Sequence, residues 1–101
     1  MSIFFIPNDD ILHFEYDPAK SERNRIKHGI DFEDAKELWA DENLVELSSP
    51  YSLEPRFLVL GIMDGKHWTA IVTYRGRTVR IISVRRSREK EVAYYDEANQ
   101  R

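Results

Sequence analysis

The alternation of apolar and polar positions divides the chain into a helical first half and a stranded second half. Ile11, Leu12, Phe14 and Tyr16 mark a short strand over 11–16. Asp17-Pro18 then reads as a helix start, with an acidic N-cap and a proline at the first helical position, where its missing N–H costs nothing. The spacing predicts a helix from Pro18 to His28 that stops at Gly29, a residue suited to the positive φ of a helix terminus. Its clear apolar anchors are Ala19 and Ile26, so it is expected to lie exposed along an edge. Asp31 restarts a helix, with Asp34 in the capping-box position. Phe32, Ala35, Leu38 and Trp39 then form an apolar stripe at i, i+3, i+6 and i+7 that ends near Ala40.

Downstream the period changes to two. Leu44 to Leu47 is a short strand and Ser48 to Pro55 a polar loop. Arg56 to Met63, His67 to Tyr74 and Arg77 to Val84 are longer strands joined by turns at Asp64-Gly65 and Arg75-Gly76. An Asp-Gly pair between alternating apolar runs is a strong hairpin signal, so these runs predict an antiparallel meander. A last helix spans Ser87, as N-cap, to about Asn99, with Val92 and Tyr95 on one side. The order β-α-α-β-β-β-β-α, with helices segregated from an antiparallel sheet, is that of an α+β two-layer sandwich.

A length of 101 residues is one domain's worth. The first ten residues lack the basic start and long apolar run of a signal peptide, and no stretch is long enough to span a membrane. Without cysteine, disulfides, thiolate zinc sites and cysteine nucleophiles are excluded, which fits a cytoplasmic location. The net charge of −3 argues against a nucleic-acid partner until it is divided along the chain. Residues 1–55 carry −8, residues 56–90 carry +7 and residues 91–101 carry −2. Such asymmetry is the pattern of a polyanion-binding surface, or of two halves that neutralise each other across the fold.

The basic stretch is dense: Arg75, Arg77, Arg80, Arg85, Arg86, Arg88 and Lys90 place seven cations in sixteen residues. Strict alternation would set Arg80, Ile82, Val84 and Arg86 on one face and Val79, Ile81, Ser83 and Arg85 on the other. An arginine in mid-strand, as Arg80 is, needs a carboxylate partner or an open face, and its planar fork suits phosphate. His28, beside Lys27, is either a helix-terminal cation or a general acid or base. Tyr94 and Tyr95 either stack on a base or pack the last helix to the sheet. Trp39 reads as core and Trp68 as sheet packing. No two histidines have metal-ligand spacing, and phosphate-binding glycine loops, nucleophile elbows and zinc-protease motifs are absent. The residues by themselves imply no metal and no cofactor.

Two motifs carry a resemblance. Phe14-Glu15-Tyr16-Asp17-Pro18-Ala19-Lys20, Asn24, Lys27-His28-Gly29-Ile30 and Phe32-Glu33-Asp34-Ala35 resemble the N-terminal signature of BrnT toxins. Arg80 to Arg86, Glu89 and the Tyr94-Tyr95 pair resemble that family's C-terminal signature. The similarity covers about residues 11–96, with Tyr16 where many relatives have Trp, and leaves the leader 1–10 outside. It implies a RelE-like fold and a metal-independent endoribonuclease of a bacterial type II toxin–antitoxin module. A BrnA-like antitoxin would neutralise it, and contact with DNA would be indirect, through that antitoxin. On this reading His28, Arg80, Arg85 and Arg86 are the catalytic candidates, and Lys27, Arg75, Arg77, Arg88 and Tyr95 hold RNA. The competing reading is a non-catalytic module, a degenerate toxin or an RNA-binding domain, using the same arginine-rich face. A weaker one is a toxin with another target.

Overall fold

A computed structural model of the chain describes residues 2–3 (backbone only), 13–49 and 54–100. Its strands are β1 (Ser2–Ile3), β2 (His13–Glu15), β3 (Val45–Ser49), β4 (Arg56–Met63), β5 (Lys66–Arg75) and β6 (Thr78–Arg86). The helices are α1 (Pro18–His28), α2 (Phe32–Ala35), which tightens into a 3-10 turn over Lys36–Ala40, and α3 (Glu89–Ala98). One six-stranded sheet has the order β1-β3-β4-β5-β6-β2. The expected meander β3 to β6 is antiparallel, but β2 runs parallel to β6, so the sheet is mixed rather than antiparallel. The part of the first predicted strand at Ile11 and Leu12 lies outside the described residues, as does 50–53 of the predicted polar loop.

The termini of α1 follow from its capping residues. The Asp17 side chain accepts from the Ala19 N–H at 2.9 Å, and Gly29 closes the helix at φ 79°. The expected anchors do not hold it, however: Ala19 is exposed and Ile26 is 71% exposed. Instead the buried residues are Ser21 and Asn24. Ser21 Oγ accepts from the Phe32 N–H at 2.9 Å. Asn24 Nδ2 donates to the carbonyls of Ile30 (2.8 Å) and Val84 (2.9 Å), while Oδ1 accepts from the Val84 N–H at 3.2 Å. A side-chain amide thus takes the place of a neighbouring strand beside β6, at a point that β2 does not reach.

The stripe Phe32, Ala35, Leu38 and Trp39 is buried as expected and packs on Val59, Ala70, Val72, Val79, Ile81 and Val84. Burying a side chain of this size contributes about 1.5–3 kcal/mol. On the opposite face Tyr95 of α3 packs with Val45 and Leu60. The residue preceding α3 is Arg88, not Ser87. Glu91 accepts the Arg88 N–H at 2.8 Å, while Ser87 Oγ bonds Thr69 Oγ1 at 2.8 Å.

One irregularity in β6 decides the site. Ile71 pairs with Ser83 but Val72 pairs with Ile81, so Ile82 is an extra residue in the ladder. A bulge reverses which side later residues face. Val79, Ile81 and Val84 therefore share the face covered by α2, and the face assignment expected from strict alternation fails beyond Ile82. Arg80 lies opposite Thr73 and Arg85 opposite Thr69. Both arginines project from the face that carries α3, and Arg86 from the other.

Candidate functional site

Arg80 has the carboxylate that a mid-strand arginine requires. Its parallel neighbour across the ladder is Glu15, whose Oε2 accepts from Arg80 Nη1 at 2.7 Å. Arg75 completes a shared cluster, 3.6 Å from Glu15 and 3.8 Å from Glu54. These side chains are one-third or more exposed, so the pairs are open to solvent and exchangeable.

Arg85 is held much more firmly. Its two terminal nitrogens donate to Glu91 Oε1 and Oε2 at 2.7 and 2.8 Å, a two-pronged pair. Thr69 Oγ1 adds a bond to Glu91 Oε1 at 2.9 Å. Burial pushes the Glu91 carboxyl up. The Arg85 guanidinium, the Arg88 N–H and the Thr69 hydroxyl outweigh that and hold its pKa at about 2. Arg86, on the other face, lies over the Trp68 ring at 5.6 Å and donates through Nε to the His67 carbonyl at 3.3 Å. Arg77 sits in the β5–β6 turn and Arg88 in front of α3.

Tyr95 is turned inward. Its hydroxyl donates to Asp41 Oδ2 at 2.7 Å and its ring meets His67 edge-on at 5.4 Å. Burial first, and then Asp41, raises its pKa. The packing alternative is thus the one its surroundings match, whereas Tyr94 is 55% exposed.

His28 and Lys27 sit elsewhere, at the end of α1. With Lys20, Arg23, Asn24, Ile82 and Ser83 they line a shallow cleft of about 330 Å³ between α1 and the bulged stretch of β6. Ser83 lies between Arg80 and Arg85 along the strand, roughly 10 Å and 7 Å from them by strand rise. The bulge thus lets one strand present arginines on its face and floor a cleft at its edge. Of the catalytic candidates, Arg80 and Arg85 share a face and His28 borders the neighbouring cleft. Arg86 is separated from them by the sheet.

Lys20 and Arg23 were not singled out from the sequence. The available signal was the i, i+3, i+7 repeat Lys20-Arg23-Lys27 within a segment whose total charge is acidic. Acidic residues gather at the other end of α2: Asp34, Glu37 and Asp64 line a second cleft, and Glu37, Asp41 and Glu42 a third. Among the described residues no group of three or more His, Asp or Glu side chains converges to hold a metal ion. Nor is any described helix long and apolar enough to cross a membrane.

An α+β chain whose cations gather on one helix and one strand is the kind of small domain that holds a polyanion. Residues 16–91 match the family described as the ribonuclease toxin BrnT of type II toxin–antitoxin systems, and the chain belongs to that family. Membership implies a protein antitoxin as partner and RNA as target. A comparison with curated proteins gives no match.

Proposed function

We propose that this chain is a metal-independent endoribonuclease of RelE-like fold that arrests bacterial growth from the cytoplasm and is neutralised by a BrnA-like antitoxin. The observation that carries the reading is the bulge in β6. It sets Arg80 and Arg85 on one face, on either side of Ser83, which also floors the cleft beside His28. RNA supplies its own nucleophile. The 2′-OH loses its proton to a base and attacks the adjacent phosphorus, and the P–O5′ bond breaks as the 5′ oxygen takes up a proton. The products are a 2′,3′-cyclic phosphate and a 5′-hydroxyl. His28 serves as the acid or base, and Arg80, exchanging Glu15 for phosphate, neutralises the charge that develops on phosphorus. Lys27, Arg75, Arg77 and Arg88 hold the strand on either side. Arg85, bound at both prongs by Glu91, keeps the end of β6 in place and adds positive potential.

The test is cleavage of RNA by the purified protein in EDTA, with the ends of the products mapped. Cyclic-phosphate ends are expected, with losses of about a hundredfold for His28→Ala and about thirtyfold for Arg80→Ala while the fold is retained. Intact RNA with a folded protein, or full activity in both variants, overturns the reading. Intact RNA together with growth arrest would turn it toward another target.

A further inference from the structure

Two sets of cations contrast. Outside both stand Arg86, Arg88 and Lys90, which are exposed and have no carboxylate within ion-pair distance among the described residues but do not line the α1 cleft. Arg25, Lys36, Arg75, Arg80 and Arg85 each have a carboxylate within ion-pair distance. Lys20, Arg23 and Lys27 are exposed and have no such partner among the described residues, yet all three line the same cleft. Their placement follows from helix geometry. Ser21, Asn24 and His28 form the inward face of α1, and Lys20, Arg23 and Lys27 each precede one of them or lie one position back on the wheel. They make a row along the flank facing Ile82 and Ser83. The Asn24 amide fixes that flank against β6 through both backbone groups of Val84. Salt-bridged cations are already compensated, whereas these three exert their field on whatever enters the cleft.

We propose that α1 is the docking element for single-stranded RNA, with Lys20, Arg23 and Lys27 gripping successive backbone phosphates and leading the strand over Ser83 toward Arg80. From Lys20 to Lys27 the helix rises about 10 Å, and the long flexible side chains extend that reach to successive phosphates. Gripping by charge reads no sequence, so the track confers affinity rather than base preference. The inference rests on the proposed ribonuclease reading for its direction toward Arg80, but the binding itself does not need cleavage.

A fluorescent RNA oligomer with 2′-O-methyl groups cannot be cut by 2′-OH attack, which separates binding from chemistry. Anisotropy titrations at several salt concentrations would be made with the full chain and with Lys20→Gln/Arg23→Gln. The slope of log K against log salt is negative, and each lost phosphate contact is expected to reduce its magnitude by about 0.7, so the double variant should be shallower by about 1.4. Affinity at low salt should fall on the order of tenfold, with an unchanged circular dichroism spectrum and melting temperature. Lys20→Arg/Arg23→Lys should restore both. Arg25→Gln removes a charge on the other side of the same helix and should weaken binding no more than about twofold.

An unchanged slope in Lys20→Gln/Arg23→Gln overturns the proposal, as does an equal loss in Arg25→Gln, which would show that only net charge matters. Loss of antitoxin binding with RNA binding intact also overturns it. Binding of the uncut oligomer through α1 by a protein that cleaves no RNA leaves the track standing and the ribonuclease reading refuted. Cleavage that is indifferent to the double variant does the reverse.

Discussion

Along β6 and its neighbours Arg75, Arg80 and Arg85 lie against Glu15, Glu54 and Glu91, whereas along α1 Lys20, Arg23 and Lys27 face the cleft without acidic partners among the described residues. The first row comes from the most basic stretch of the chain and the second from a segment of net negative charge. Formal charge along a sequence therefore does not separate compensated cations from uncompensated ones. What decides the field outside the protein is which cations the fold has already paired. Within the first row there is a further gradation. Arg85 is closed off by a buried glutamate, while Arg80 and Arg75 share the partly exposed Glu15, which phosphate can displace.

The largest effect should come from opening the closed pair. Glu91 is 7% exposed and accepts from Arg85, Thr69 and the Arg88 backbone. Replacing it with Gln leaves the half-buried Arg85 guanidinium without its counter-charge, which costs about 3 kcal/mol and should appear as a lower urea midpoint at pH 7. The same pair sets a pH dependence. The folded carboxyl has its pKa lowered to about 2. Its contribution is therefore complete above the unfolded value near 4.3 and fades as pH falls through the folded one. The stability gap between the native chain and Glu91→Gln should narrow steadily from about pH 5 toward pH 2. A constant gap would mean that the loss is one of packing.

Next in size is the clamp that holds the free row in place. Asn24→Ala leaves the Val84 N–H and the carbonyls of Val84 and Ile30 without their side-chain partner, a loss of about 2–3 kcal/mol. It should weaken RNA binding as well, because α1 is no longer fixed against β6. Asn24→Asp keeps the acceptor but removes the donors, and should not restore stability. A change below about 0.5 kcal/mol in Asn24→Ala would show that α1 is held by something other than this amide.

Arg80→Ala should separate exposed from buried pairing. Its pair with Glu15 is partly solvated, so the stability change should stay within about 1 kcal/mol. The cleavage rate should still fall about thirtyfold, about 2 kcal/mol of transition-state stabilisation. A loss of stability comparable to that of Glu91→Gln would place Arg80 among the structural arginines and leave the catalytic phosphate without its cation.

Much of this architecture was legible where local chemistry determines it. Asp17, Pro18 and Gly29 delimit α1 residue by residue, and Asp64-Gly65 makes the β4–β5 hairpin with both residues at positive φ. The apolar stripe from Phe32 to Trp39 marks the packing helix. The features that were hidden depend on contacts between distant positions. The parallel pairing of β2 with β6 joins Glu15 to Arg80 across 65 positions, and nothing local announces it. The bulge at Ile82 has no glycine to mark it, so alternation assigned Arg86 to the face of Arg80 when only Arg85 belongs there. A helix anchored by Ser21 and Asn24 inverts the rule that anchors are apolar. Its buried asparagine is understandable only once the unpaired backbone of Val84 is in view.

The smallest prediction concerns the acidic residue within α1. Glu22 pairs with Arg25 on the side of the helix away from the cleft, and both are exposed. The pair draws the Glu22 carboxyl below its ordinary range through the hydrogen bond from Arg25. Exposed pairs of this kind contribute little to stability, so Glu22→Gln should leave the melting temperature where it is. It also removes the one negative charge among the side chains of α1 and releases Arg25, so the potential along the free row should rise. Affinity for RNA should therefore increase about twofold at low salt, and the gain should disappear near physiological ionic strength, where the Debye length is about 8 Å. The direction is the informative part. An increase from removing a glutamate outside the cleft is expected if RNA lies along α1. No change at low salt would locate the strand on the β6 arginines, beyond the reach of Glu22.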